Sequence, residues 1–227
     1  MPRSSARRPT LALLVRHGQT PTTGKVLPGR APGLHLSEEG VAQAKAAAEL
    51  ISSSGAVAGV YASPLERTRE TAAPIAERLG LAVEVEERLS ECDFGEWTGA
   101  NLAELRKLRE WRTVQSWPGG WRFPGGESFL EMQARMVSCM TELVHRHPGE
   151  TFVAVSHADP IKALVAHAVG QHVDLFQRIT VSPASISAIS FGEDGPSILA
   201  LNSGAAPWAT SGRKSGSQDR RRKGGSR

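Results

Sequence analysis

Residues 11–18, Leu-Ala-Leu-Leu-Val-Arg-His-Gly, decide the fold. Five apolar residues in an unbroken run have the pattern of a strand covered on both faces, the condition of a strand inside a parallel sheet. The run ends abruptly in a cation, an imidazole and a glycine. Residues 152–157, Phe-Val-Ala-Val-Ser-His, repeat that signature and deliver Ser156 and His157 where the first run delivers Arg16 and His17. Open α/β sheets bind ligands beyond the carboxyl ends of their strands. His17 and His157 are therefore candidates for one site.

Working outward, Ser37 followed by Glu38, Glu39 and an Ala-rich stretch to Ile51 has a capping residue with acids in the first turn, which predicts a helix. Val57–Tyr61 predicts a strand. Ser63 and Pro64 then suit the start of a helix that runs through Arg67 to Leu79 and stops at Gly80. Ala82–Val85 is a further strand. Helices are expected over about 101–113 and from Ser128 to His145, before Pro148-Gly149. Helical patterns follow at Ile161–Val169 and Leu175–Ile179, and Ile186–Phe191 pairs with Ser197–Leu201 as a closing hairpin. Strands alternating with helices predict an α/β fold, a three-layer α/β/α sandwich whose mostly parallel sheet has helices on both faces.

A length of 227 residues suits one main domain, placed at 10–208 after a flexible segment 1–9. The formal charge of +4 is unevenly distributed: residues 209–227 hold seven basic side chains against Asp219 alone, net +6, which leaves 1–208 at −2. That tail has no large apolar side chain to offset the entropy of ordering, so it is expected to be disordered, with at most a weak attraction to nucleic acid or acidic lipid. Cys92 and Cys139 form no Cys-x-x-Cys pair and no zinc-like spacing, which fits a reducing compartment. The N-terminal apolar run breaks at Arg16 before reaching the roughly 7 to 15 residues of a signal-peptide core. The expectation is a cytoplasmic protein that is not embedded in a membrane. A homodimer is among the assemblies the sequence leaves open.

Arginine, with a planar fork of donors, pairs with phosphate in two directions. Arg16 beside His17 is one such source of charge. Arg67 is another, in the first turn of a helix whose free N–H groups already favour an anion. Phosphoryl transfer needs that charge, a nucleophile, and an acid for the leaving oxygen.

In order along the chain stand LLVRHGQT (13–20), SPLERTRETA (63–72), RLSECDFGEWTG (88–99), FPGGES (123–128) and VAVSHADPIK (153–162). This ordered set resembles the histidine phosphatase, or phosphoglycerate mutase-like, superfamily over most of residues 10–202. Around GRAPGLHLSEEG and HVDLFQRI the chain is similar to an actinobacterial subgroup of phosphomutase-like proteins. The resemblance implies a metal-independent, cofactor-free enzyme acting on a small phosphate ester. His17 would be the nucleophile, Arg16, Arg67 and His157 would complete the phosphate pocket, and Glu91 would donate the proton. Gln19 and Thr20 occupy the turn beside the nucleophile, and Thr23 and Ala158 join them as expected substrate contacts. Phe94 and Trp97 are the expected source of the desolvation that keeps Glu91 protonated, with Glu127 next in line as a donor.

Thr22 and Thr23 stand where relatives often carry Trp and Asn, and Ala158 replaces the usual Gly after the second histidine. The Asn-Lys signature of glycolytic mutases is absent, and Gly99-Ala100-Asn101 stands in its place, which favours hydrolysis over transfer to a second substrate. The alternatives are a mutase-like phosphotransferase and a noncatalytic binder of phospho-ligands or nucleic acid. Trp97, Trp111, Trp117 and Trp121 form either a lid over the site or ordinary packing against the sheet.

Overall fold

The computed structural model describes residues 8–204. The expectations for residues 1–7 and for the tail 209–227 lie outside the described residues. At the centre is β1 (Thr10–Arg16), in which Ala12, Leu13, Leu14 and Val15 are all fully buried. Two short strands, β2 (Val26–Leu27) and β5 (Ala100–Asn101), pair as a separate ribbon that the sequence did not signal. Between them come α1 (Glu38–Ser53), β3 (Gly59–Ala62), α2 (Glu66–Leu79) and β4 (Val83–Val85). After β5 follow α3 (Leu102–Leu105), α4 (Arg109–Ser116), α5 (Phe129–Arg146), β6 (Thr151–Ser156), α6 (Ala158–Ala168), β7 (Ile186–Gly192) and β8 (Gly195–Ser203).

The main sheet has the order β4-β3-β6-β1-β7-β8. Its first four strands are mutually parallel, and the β7–β8 hairpin adds an antiparallel edge. Side chains alternate across a strand, so β1 feeds two cores. Leu13 and Val15 pack with Ala47, Ile51 and Ile75 of α1 and α2, whereas Ala12 and Leu14 pack with Met136, Met140 and Leu164 of α5 and α6. This is the expected α/β architecture, with helices on both faces. No helix among the described residues is long and apolar enough to cross a membrane.

Register positions the site. Arg16 is opposite Ser156 and Ala62 is opposite Val155, so β1, β6 and β3 end side by side, and Arg16, His17, His157 and Ser63 emerge together.

Three element boundaries differ from expectation. The helix predicted over 101–113 breaks into α3 and α4, because Leu108 is extended (φ −72°, ψ 144°) and 44% exposed while the buried anchors Leu105 and Val114 lie on either side of it. Helix α2 begins at Glu66 with Leu65 as its uncapped start. Ser63, the expected cap, turns its hydroxyl to His157 instead. The segment after α6 forms a 3₁₀ turn, Val173–Arg178. The α5 start is as expected and carries a reciprocal capping box: Ser128 Oγ accepts from the Glu131 N–H, and the Glu131 carboxylate accepts from the Ser128 N–H.

Candidate active site

His17 is the first residue past β1. Its Nδ1 lies 2.7 Å from the carbonyl oxygen of Gly18. A carbonyl only accepts, so Nδ1 holds the proton and Nε2 keeps its lone pair. Burial, reinforced by Arg67 and then Arg16, pushes the imidazole pKa down to about 3. The ring is thus neutral at physiological pH, with burial acting more strongly than the arginines expected from the sequence.

Gly18 is required by a close approach of two backbones. A Cβ there would lie 2.5 Å from the carbonyl oxygen of Gly40 in α1, nearer than real side chains come. The N–H of Gly18 donates to Thr71 Oγ1 of α2 (3.0 Å), and that of Gln19 donates to Gln43 Oε1 of α1 (2.9 Å). Helices α1 and α2 therefore clamp the turn that carries His17.

Arg16 and Arg67 supply the positive charge. Arg16 Nη1 donates to the Val181 carbonyl (2.7 Å), which leaves Nε buried without a partner. Arg67 is fully buried. Its Nη2 donates to the Gly29 carbonyl (2.9 Å) and to His157 Nδ1 (3.2 Å), while its Nε and Nη1 are buried and unpartnered. Buried donors are nearly always satisfied, so three such guanidinium nitrogens beside a neutral imidazole make a charged, donor-rich recess fitted to an anion.

His157 completes the group. Its ring centroid is 5.2 Å from that of His17, and burial, then Arg67, hold its pKa well below the ordinary value. It is the uncapped N-terminal residue of α6, so the positive end of that helix faces the same region. The adjoining cavity of about 360 Å³ is lined by Arg16, His17, Thr20, Thr23, Glu91 and Ala158, among others. Arg67 and His157 are not in that lining but touch it, His157 through the His17 ring and Arg67 through His157.

Glu91 reaches the cavity from the segment after a 3₁₀ turn. Its Oε1 accepts from the Cys92 N–H (2.9 Å), and Oε2 is 4.0 Å from His157 Nδ1. Burial first and the charge of Asp159 second push its pKa up to about 7. Phe94 lines the cavity as expected. Trp97 instead stacks on Trp111 and meets Trp121 and Phe123 in an aromatic cluster on the α5–α6 core. Three of the four tryptophans are thus packing, and Trp117 is 60% exposed.

Two of the expected residues stand off the cavity wall. Gln19 is absent from the cavity lining, and its backbone groups are bonded at the start of α1, the N–H donating to Gln43 Oε1 and the carbonyl accepting from the Ser37 N–H. Glu127 is also absent from the cavity lining. Burial raises its pKa, but hydrogen bonds from Arg135 (2.7 and 3.0 Å) and the charges of Arg135 and Arg30 bring it below the ordinary range. Its role is to brace: Arg30 Nε and Arg135 Nη2 both donate to the Glu91 carbonyl while ion-paired to Glu127. Thr20 and Thr23 do line the cavity and interlock, with the Thr20 N–H donating to Thr23 Oγ1 at 2.9 Å. Sequence patterns missed Thr71, Gly40, Gln43, Arg30 and Arg135, whose partners are tens of positions away. Asp159 and Lys162, at helical spacing just past His157, were the one missed group with a local signal.

Residues 12–204 match the family model described as "Histidine phosphatase superfamily (branch 1)". The chain belongs to this superfamily. A Mycobacterium tuberculosis protein named only as bifunctional is 36% identical over 200 residues, which is 85% of this chain and 53% of that relative. The chain therefore spans about half the length of the first curated relatives it matches. Phosphoserine phosphatase 1 of Hydrogenobacter thermophilus is 34% identical over 195 residues, covering 84% of this chain and 90% of that protein. Among solved structures, mycobacterial glucosyl-3-phosphoglycerate phosphatase with VO3 superposes with a TM-score of 0.78 at 29% identity, over 87% of this chain and all of that one. The sheet and flanking helices of this chain are thus the histidine phosphatase fold.

Proposed function

We propose that this histidine phosphatase superfamily member hydrolyses small phosphate monoesters through a phosphohistidine at His17. The observation that carries this function is the set of three buried, unpartnered guanidinium nitrogens of Arg16 and Arg67 beside a neutral imidazole with a free Nε2. In the first step Nε2 attacks phosphorus. The ester P–O bond breaks, and the leaving oxygen takes the proton of Glu91. In the second step water attacks the phosphoryl group and returns a proton to Glu91. The N–P bond breaks, and inorganic phosphate leaves. Arg16 and Arg67 hold the phosphoryl oxygens throughout, with His157 bonded to Arg67 Nη2 and steadying that guanidinium, and such donors act more strongly where water is excluded.

Thr20, Thr23 and Ala158, on the cavity wall, are the further substrate contacts of this proposal. The phosphatase names of the Hydrogenobacter and mycobacterial relatives support hydrolysis, as does the Gly99-Ala100-Asn101 segment in place of the mutase signature. Two buried free cysteines, Cys92 and Cys139, fit a reducing, cytoplasmic setting. The experiment is turnover of p-nitrophenyl phosphate by the purified chain, with acid-labile phosphate trapped on the protein. Turnover without a phosphoenzyme that maps to His17 would overturn the proposal. Isomerisation of 3-phosphoglycerate in place of phosphate release would assign the transferase chemistry instead.

A further inference from the structure

Beyond the phosphate recess, the cavity has a charged corner, built from two elements. Asp159 and Lys162, two and five residues past His157, project from the first turns of α6, and Gln177 comes from the following 3₁₀ turn. Lys162 Nζ donates to Asp159 Oδ1 (3.2 Å) and to Gln177 Oε1 (3.2 Å). An Asp and a Lys three residues apart on a helix are ordinarily a solvated pair. Here the two side chains are only 19% and 16% exposed and line the cavity that contains His17 and Glu91. A largely buried ion pair is a poor device for stability alone, and both charges face the region where the alcohol half of a bound ester would lie.

We propose that Lys162, Asp159 and Gln177 form the leaving-group subsite, and that it takes an alcohol carrying both a carboxylate and an ammonium, making the substrate an O-phosphorylated hydroxy amino acid. This inference rests on the phosphatase function proposed above. Charge balance selects the zwitterion. Lys162 has a third N–H to offer, but a lone carboxylate there would leave two carboxylates sharing one ammonium, an unbalanced charge in a largely buried corner. A lone ammonium on Asp159 would likewise leave two ammoniums sharing one carboxylate. A neutral polyol leaves the pair intact and gains only hydrogen bonds. A ligand with both charges exchanges one pair for two, its carboxylate on Lys162 and the Gln177 amide and its ammonium on Asp159. The cavity, about 360 Å³, is near the small end of ligand pockets and suits a metabolite rather than a phosphorylated protein.

The test compares kcat/KM for four esters: O-phosphoserine (both charges), 3-phosphoglycerate (hydroxyl for ammonium), phosphoethanolamine (no carboxylate) and glycerol 3-phosphate (neither charge). The wild type should prefer O-phosphoserine over each of the others by about tenfold or more, since a site built for a polar group rejects the analogue lacking it. Lys162→Met should collapse the O-phosphoserine to phosphoethanolamine ratio, and Asp159→Asn the O-phosphoserine to 3-phosphoglycerate ratio. Ratios taken within one enzyme cancel any change in the folded fraction or in the Glu91 proton. Wild-type turnover of p-nitrophenyl phosphate with a flat ester panel overturns the subsite and leaves the phosphatase function standing. A preference for 3-phosphoglycerate over O-phosphoserine likewise overturns it, as do selectivity ratios unchanged in the folded variants. No turnover of any ester, p-nitrophenyl phosphate included, overturns the underlying function. Should a variant fail to fold, the wild-type panel alone decides.

Discussion

Arg67 Nη2 lies 3.2 Å from His157 Nδ1, and this contact sets the tautomer of the second histidine. A guanidinium only donates, so Nδ1 accepts and the proton sits on Nε2, 2.9 Å from Ser63 Oγ. Arg67 thus acts twice, on the phosphoryl group and on the ring beside it. Arg67→Ala should lower kcat/KM by about 10² to 10³, the scale of one transition-state donor, with weaker inhibition by vanadate. Arg67→Lys keeps the charge without the fork and should restore only part of either. Full activity in Arg67→Lys would mean that charge alone matters.

His17→Ala should abolish turnover and the acid-labile phosphoenzyme together. The other imidazole of the pair has both nitrogens engaged, by Arg67 and by Ser63, and so offers no free lone pair as a substitute. Trapping labelled phosphate from a slow ester, followed by peptide mapping, checks this. Label on the variant would move the nucleophile away from residue 17.

The sheet was legible because β1 and β6 are buried on both faces, and that burial is written as unbroken apolar runs. The histidines at their ends were legible for the same reason. Ser63 was misassigned because Ser-Pro suits a helix start equally well, and only the adjacency of β3 and β6 shows where its hydroxyl goes. The setting of Glu127 was not legible because a carboxylate's pKa depends on partners such as Arg135 and Arg30, the latter 97 positions away. Long-range clamps such as Thr71 on Gly18 leave no local trace either. The break between α3 and α4 was invisible to periodicity because both pieces keep helical spacing, and Leu108 is simply turned outward.

The acid limb of stability should carry the signature of His17. Its pKa is about 3 in the folded chain, against about 6.5 when unfolded. Between those values the unfolded chain holds a proton that the folded chain lacks, so stability falls as pH drops. The contribution is about 1.4 kcal/mol per pH unit for one proton. His17→Asn should flatten the dependence by about that amount between roughly pH 4 and 6, measured by denaturant unfolding at several pH values. An unchanged slope would mean that the folded ring is already protonated.

Glu91 should behave as an acid whose importance depends on the leaving group. Burial and the Asp159 charge raise its pKa to about 7, so it still carries a proton near neutrality, where an ordinary glutamate would not. Alkyl esters leave as strongly basic alkoxides and need that proton in the transition state, whereas p-nitrophenolate departs readily without one. Glu91→Gln keeps the shape but donates no acidic proton. It should therefore cost about 10² or more with alkyl phosphates, and much less with p-nitrophenyl phosphate. The wild-type rate on alkyl esters should fall as pH rises through about 7, and this limb should vanish in the variant. The same proton affects stability with the opposite sign to His17. The folded chain holds it from the ordinary glutamate range up to about 7, so its contribution is lost as pH rises through that window, and Glu91→Gln should remove the loss. Equal losses on both ester types would make Glu91 a shaping residue. The donor would then have to be another carboxyl on the cavity, and Glu127, locked to Arg135 and Arg30, is poorly suited to that role. Asp159 would be left as the group to test.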